Sequence, residues 1–376
     1  MPVNKMKILI SSISATPSPF YLLREMMSRK FKSLQFLQKK NIALKELNSK
    51  FWNEESYDGL ELNFPGLGFF DENWNIKKDR VMEYKKSNYP FYSFHGCFDS
   101  FPKNFRGLYL NLASSDNYIA KALNSQIDVA ARLSKDTPIL VLHPGFADRC
   151  SKERALDNLL FNLEGALPYA RRRNVILTLE NMNWNPDRMN LGYLADDFDY
   201  VFRRIDDPNL KVTFDIGHMN TQVLNRKFRV SHNIENQAHI LEFIDRMSKK
   251  IIHAHLHYNN CHRYFDNVSG MLKQSISAWF YLGFMTWMKI NRSIITNKND
   301  LLDEHLPLNK ADKMTMDAIK NLLEKTAIKE YGKLTFEFTP KKIFKFVAIK
   351  NGAEMKDHLA SLEIMRNILK PKILNL

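Results

Sequence analysis

The segment Val175-Ile-Leu-Thr-Leu-Glu180 is the clearest sequence indication of the fold. An unbroken apolar and β-branched run of this length is typical of a strand that is buried on both faces, as strands are in a parallel sheet. The run ends on a carboxylate, and an ionised carboxylate at the end of an apolar strand is costly unless it is paired or binds a metal. One segment therefore indicates both a class of fold and a kind of site.

The same alternation of a short strand and a longer helix continues through most of the chain. The apolar runs predict strands at residues 7–12, 59–63, 90–95, 138–143, 174–180, 211–215, 250–255 and 333–337. The helical patterns predict helices at residues 21–47, 116–133, 152–172, 194–204, 234–248, 313–325 and 353–368. Repeated strand–helix units predict an α/β fold, a (β/α)8 TIM barrel with a C-terminal helix. We expect residues 1–376 to form one such domain.

A long insertion, residues 259–302, interrupts this rhythm after the seventh predicted strand. Loops of this length are usually functional or have structure of their own. Residues 274–288 within it are uncharged and rich in aromatic side chains. This segment is shorter than the ~20 residues that a spanning helix needs, so we predict no transmembrane span. It could form a lid, a homodimer contact or a membrane-surface anchor, or pack on the loops of the barrel itself.

The composition sets limits on partners and location. The chain is 44% hydrophobic and 26% charged, as in ordinary globular proteins. Its net charge of +14 favours anionic partners such as phosphorylated sugars, nucleic acid or an acidic membrane surface. The cysteines, Cys97, Cys150 and Cys261, form no C-x-x-C pair and are too sparse for a disulfide framework. Without an apolar signal segment near the N-terminus, we expect a cytoplasmic protein.

Histidine, aspartate or glutamate stands at the end of each predicted strand from the third to the eighth. Because the C-terminal ends of barrel strands converge on one face, we expect these side chains to meet there. Imidazole and carboxylate ligands without thiolates suit Zn²⁺, Mn²⁺ or related ions. His253, two residues before His255, is interpreted as a hydrogen-bonded core residue beside the ligands. The candidate ligands are His95, His143, Glu180, Asp215, His218, His255, Asp303, His305 and Glu337.

Short motifs occur around these residues in a fixed order. They are Glu61-Leu-Asn-Phe-Pro65, His95 with Leu110-Asn-Leu-Ala-Ser114, His143-Pro-Gly145, Leu179-Glu-Asn-Met182, Phe214-Asp-Ile-Gly-His218, His253-Ala-His-Leu-His257 and Asp303-Glu-His-Leu-Pro-Leu308. With these motifs the chain resembles the xylose isomerase-like TIM-barrel superfamily. That superfamily contains the sugar phosphate isomerases/epimerases and the zinc-dependent apurinic/apyrimidinic endonucleases. The resemblance covers nearly the whole barrel and implies a divalent-metal enzyme.

The isomerase/epimerase branch is the one whose motifs are closer to this chain. Here the resemblance implies that Glu180, Asp215, His255 and Glu337 hold one divalent ion, Zn, Mn, Mg or Co. Glu180 and Glu337 would flank a sugar or sugar phosphate and transfer a proton, with His218 helping to bind it. We expect a metal-dependent isomerase or epimerase on this basis.

The endonuclease branch is the alternative, and there the resemblance implies three zinc ions and abasic DNA as the substrate. Glu180 would bridge two of the ions. The three sites would be His95, His143 and Glu180; Glu180, Asp215, His255 and Glu337; and His218, Asp303 and His305. The positive net charge favours DNA, and a non-catalytic binding protein on the same scaffold is a third alternative.

The sequence departs from the family pattern around the seventh strand. Tyr258-Asn259 follows His257, where the family usually has Asp-Asn. Asp303 follows the long insertion instead of lying a few residues beyond the strand. We therefore expect between one and three ions per chain.

Overall fold

Eight parallel strands close into a barrel in the computed structural model of the protein. The structure describes residues 6–11, 57–64, 68–86, 90–98, 110–184, 189–224, 238–259, 305–338, 342–344, 347–348 and 353–369. The strands are β1 (Lys7–Ser11), β2 (Gly59–Asn63), β3 (Phe91–His95), β4 (Ser134–Leu142), β5 (Ile176–Glu180), β6 (Leu210–Asp215), β7 (Ile251–Leu256) and β8 (Lys333–Phe336). Each strand pairs with its successor, and β8 pairs with β1 to close the barrel. The predicted α/β barrel is confirmed.

Helices alternate with these strands, as the sequence predicts. They are α1 (Lys78–Lys86), α2 (Ile119–Leu133), α3 (Lys152–Arg172), α4 (Ala195–Phe202), α5 (Ile216–Leu224), α6 (Ala238–Met247), α7 (Lys313–Lys325), α8 (Ile328–Tyr331) and α9 (Met355–Leu369). The predicted C-terminal helix is present as α9. The helices α1, α5 and α8 were not predicted, and the predicted helix at 21–47 lies outside the described residues. A short antiparallel pair, β9 (Lys342–Phe344) and β10 (Val347–Ala348), precedes α9.

The barrel interior is polar just below its mouth. Glu61 on β2 contacts His253 on β7, with 3.2 Å between Oε2 and Nε2. Because β1 and β8 separate these two strands, the contact crosses the inside of the barrel. Barrel interiors are usually filled by branched apolar side chains, so this polar layer calls for a reason. Its fully buried members are Ser11, Glu61, Ser93, Thr178, Thr213, His253 and Thr335.

Residues 305–306 lie beside the end of β7, next to the point where the chain leaves the barrel mouth. Tyr258 and Leu306 exchange two backbone hydrogen bonds of 2.7 Å each. The two ends of the intervening segment therefore meet beside the C-terminal end of β7. Residues 274–288 lie outside the described residues, so the homodimer contact and the lid stay predictions. In the described part of the chain, no helix combines the length and apolar character needed to cross a bilayer.

Candidate metal centre

Strand register brings the ends of neighbouring strands to one level at the barrel mouth. Asp215, the last residue of β6, is level with His255 on β7. Glu180 ends β5, and Glu337 directly follows β8, where its backbone N–H donates to the Leu256 carbonyl. All four side chains of the predicted set are nearly or fully buried. The fold therefore gathers them although more than 150 residues separate the first from the last.

The Nδ1 atom of His255 is the centre of one group of carboxylates. It lies 3.0 Å from Oε1 of Glu180 and 3.3 Å from Oε2 of Glu337. Oδ2 of Asp215 is 3.6 Å away. Two ligand atoms on one tetrahedral ion stand roughly 3.4 Å apart when each bond is about 2.1 Å. These spacings match the arrangement of ligands around a shared ion.

The other oxygen of Glu180 faces a second group. Nε2 of His95 lies 3.3 Å from Oε2 of Glu180, and Nε2 of His143 lies 3.2 Å from it. This buried Oε2 has no hydrogen-bond partner among the described residues. A buried carboxylate oxygen that approaches two ring nitrogens without hydrogen-bonding to them fits a cation-binding role. Glu180 thus presents one oxygen to each group.

The donor set fits a divalent metal. Imidazole and carboxylate donors suit Zn²⁺, Mn²⁺ and related ions. In each of four groups among the described residues, the ligand atoms lie within 4.8 Å of one another. The groups are His95, His143 and Glu180; Asp215, His255 and Glu337; Glu180, Asp215 and His218; and Glu61, His253 and His255.

Asp215 is held by hydrogen bonds at both its side chain and its backbone. Its Oδ1 accepts from the backbone N–H of His218 at 2.8 Å, as an N-cap does at the start of a helix, here α5. Nε2 of His257 lies 2.9 Å and 3.0 Å from its two carboxylate oxygens. The side chain of Asn181 bonds both the N–H and the carbonyl of Asp215, at 2.7 Å and 2.8 Å. The residue after Glu180 therefore ties the end of β6 to that of β5.

The loop after His143 is fixed by the Leu110-Asn-Leu-Ala motif. Oδ1 of Asn111 accepts from the N–H of Phe146 at 3.0 Å, and Nδ2 donates to its carbonyl at 3.0 Å. Gly145 has a φ of +94°, and a Cβ there would lie 2.1 Å from Oδ1 of Asn111. The glycine of the His-Pro-Gly motif is therefore required by the close approach of Asn111.

The predicted third group is only partly assembled among the described residues. His218 lies 3.7 Å from Oε1 of Glu180, so it joins the central group. His305 stacks on His257 with ring centroids 3.9 Å apart and belongs to none of the four groups. Asp303 lies outside the described residues. Their joint role as a third metal site stays a prediction.

The surroundings of two buried carboxylates, Glu180 and Asp215, favour their ionised form. Burial alone would raise the pKa of Glu180, yet His255 and His143 hold it well below its usual value. For Asp215, His218 and His257 likewise outweigh burial and lower the pKa. Burial would lower the pKa of His255, but Glu61, Glu180 and Glu337 raise it well above the usual value. The surroundings of His255 therefore favour a positive charge, which is the environment that a cation requires.

Sequence reasoning missed two residues of this site, Glu61 and His257. Both were quoted within motifs, but neither was assigned a role. His257 contacts Asp215 directly, and Oε1 of Glu61 lies 3.1 Å from Nε2 of His255. Glu61 lies in the middle of a strand that is buried throughout, where no period-two pattern tells inside from outside.

Comparisons with known proteins agree with the fold. The family described as Xylose isomerase-like TIM barrel matches residues 56–363. A crystal structure of a D-tagatose 3-epimerase-like protein is similar with a TM-score of 0.55 and 18% identity, over 97% of both chains. The D-psicose 3-epimerase of Clostridium cellulolyticum H10, solved with D-tagatose, has a TM-score of 0.53 and 14% identity, over 97% of this chain and 100% of that one. At these identities the likeness shows the fold alone.

A curated relative matches part of the sequence. An uncharacterised protein of Methanocaldococcus jannaschii is 30% identical over 159 residues, which cover 40% of this chain and 48% of that protein. The chain thus spans about half the length of that relative. Since the family match covers most of the chain and includes every described strand after β1, the protein belongs to the Xylose isomerase-like TIM barrel family.

Proposed function

We propose that the protein is a divalent-metal-dependent isomerase or epimerase of a sugar or sugar phosphate. The observation that carries this proposal is the convergence of Glu180, Asp215, His255 and Glu337 at the barrel mouth, within 3.0–3.6 Å of Nδ1 of His255. The epimerases among the solved structures of the same fold support a sugar as the substrate.

The two glutamates are the proposed proton-transfer groups. Glu180 and Glu337 project from β5 and from the end of β8, so they approach the centre from different sides. One would take the proton from the carbon beside the sugar carbonyl, and the other would return it. A bound divalent ion would supply Lewis-acid polarisation of the sugar oxygens.

His218 is the proposed substrate-binding residue. Its Nδ1 donates to the carbonyl of Asn181 at 2.8 Å, which fixes the ring. A neutral ring that donates through Nδ1 carries its lone pair on Nε2, which is the atom we assign to a sugar hydroxyl. The side chain of His218 is only 8% exposed, so a hydrogen bond to it would be shielded from water.

Solvent exchange tests the proposed reaction class. We expect the Mn²⁺-loaded wild type, in D₂O with a panel of ketopentoses, ketohexoses and their phosphates, to incorporate deuterium beside the carbonyl. Mass spectrometry of the sugar would measure this incorporation. Glu180→Gln and Glu337→Gln should each lower the rate by about 10²–10⁴-fold, because each removes a proton-transfer group.

Glu324→Gln, an exposed position on α7, is the matched control and should leave the rate unchanged. Exchange that persisted at the wild-type rate in both site variants would contradict the assignment of the two glutamates. Absence of exchange with every sugar in the metal-loaded wild type would contradict the proposed function.

A phosphodiester-cleaving enzyme is the second candidate. The group of His95, His143 and Glu180 favours it, since it would place a second ion beside the first, as two-metal hydrolysis of phosphodiesters needs. Cleavage of an abasic-site duplex by the Zn²⁺-loaded wild type, lost in His143→Gln, would favour this candidate over the sugar enzyme.

A further inference from the structure

We propose that Glu61 is a positioning residue that sets the tautomer and ring orientation of His255. The inference rests on the proposed function in one respect only, that His255 is a metal ligand. The role of His255 as a ligand does not explain why the fully buried carboxylate of Glu61 lies on the side of the His255 ring that faces away from the other ligands.

The two nitrogens of His255 face opposite surroundings. Nδ1 points to Glu180, Asp215 and Glu337, whereas Nε2 lies 3.1 Å from Oε1 of Glu61. Glu61 and His255 are both 0% exposed, so water does not compete for either atom. A carboxylate behind a ligand histidine holds the proton on the far nitrogen and leaves the near one free to bind metal.

A chain of buried hydrogen bonds anchors the carboxylate of Glu61. Oγ1 of Thr335 donates to its Oε2 at 3.3 Å, and Nε2 of His253 lies 2.9 Å from the same hydroxyl. On the other side of the ring, Nδ1 of His253 lies 3.0 Å from Oγ1 of Thr213. Oγ1 of Thr213 is in turn 2.6 Å from the hydroxyl of Thr178.

The donor and acceptor roles in this hydrogen-bond network follow from the carboxylate of Glu61 at its end. An ionised carboxylate only accepts, so Thr335 donates its hydroxyl proton to Glu61. Thr335 must then accept from Nε2–H of His253, which leaves Nδ1 to accept from Thr213. The donors of this network point toward Glu61, and its other oxygen, Oε1, lies 3.1 Å from Nε2 of His255.

The same geometry argues against a separate metal bound by Glu61, His253 and His255. Their donor atoms do lie within 4.8 Å of one another. However, both ring nitrogens of His253 are already engaged by threonine hydroxyls, so that ring has no lone pair to give. The polar layer inside the barrel therefore serves His255 through Glu61.

Metal binding tests the proposal without substrate. Mn²⁺ is titrated calorimetrically into the metal-free wild type, Glu61→Gln, Thr335→Val and Ser93→Ala. Glu61→Gln should weaken binding about 10–100-fold, since the amide carries no charge and has one accepting oxygen where the carboxylate has two. Thr335→Val, which keeps the shape and removes the hydroxyl, should give a smaller loss in the same direction. Ser93→Ala, at the same level of the barrel on β3, should stay within about twofold of the wild type.

A second readout separates positioning from general damage. In the Zn²⁺-loaded wild type, ¹⁵N NMR should show His255 with its proton on Nε2, and this signal should shift or broaden in Glu61→Gln. Equal affinity in wild type and Glu61→Gln, or an equal loss in Ser93→Ala, would overturn the inference and leave the proposed function standing. A wild type that bound no divalent metal would overturn both.

Discussion

At the scale of the residue, Glu180 is the hub of the site. Its Oε1 faces His255 at 3.0 Å, and its Oε2 faces His95 and His143 at 3.3 Å and 3.2 Å. The residue is 1% exposed, so the energetic cost of burying its charge is offset by these rings or by a cation. A change at this one position should therefore affect both groups of ligands.

A single buried histidine away from the site gives a test of stability against pH. His358 on α9 is 1% exposed, and burial lowers its pKa from 6.5 to about 4, although Asp357 opposes this. The folded protein therefore binds a proton at His358 less readily than the unfolded chain does. The stability from the neutral ring is complete above pH 6.5 and is lost as the pH falls toward 4.

We therefore expect the wild type to lose stability on acidification relative to His358→Leu. The difference between their free energies of unfolding should fall by about 3 kcal/mol from pH 7 to pH 4, as urea unfolding would measure. Leu359→Ala, a half-exposed neighbour on α9, should shift stability without this pH dependence. Parallel curves for wild type and His358→Leu would contradict the assignment.

At the scale of the element, the start of α5 is fitted to the site. A Cβ on Gly217 would lie 1.8 Å from Cε1 of His257, whose Nε2 holds Asp215. The helix can begin directly after β6 only because this residue has no side chain.

Gly217→Ala should therefore displace His257, weaken Mn²⁺ binding by more than about tenfold and lower the melting temperature. Gly165→Ala is the matched control, because a Cβ there meets nothing within 4 Å in the middle of α3. It should leave metal affinity unchanged and stabilise the helix by about 0.5–1 kcal/mol. Equal effects of the two substitutions on metal binding would contradict the role given to Gly217.

The elements that the sequence predicts well are those with a clear pattern. The helices α3 and α7 have the predicted bounds, because each carries one apolar face and a capping side chain, Ser151 and Asp312. Eight of the nine positions of α5 are buried, so it shows no amphipathic period. The charged α1 buries only Val81 and Tyr84, which is too little to give a periodic signal.

At the scale of the whole molecule, closure of the barrel is what makes strand-end residues informative. His95, His143, Glu180, Asp215, His255 and Glu337 could be proposed together from sequence because parallel strands end on one face. Glu61 could not, since its partner His255 is reached only across the barrel interior. Such a contact depends on closure and register, which no local pattern encodes.

Whether the barrel mouth holds a divalent ion is measured by the metal content and Mn²⁺ affinity of the purified protein, with and without Asp215→Asn. Asp215 is fully buried and held by Asn181 and His257, so asparagine should keep the fold and remove the charge. We expect at least one tightly bound ion in the wild type and a loss of affinity of more than about tenfold in the variant. Full metal content and unchanged affinity in Asp215→Asn would contradict this expectation.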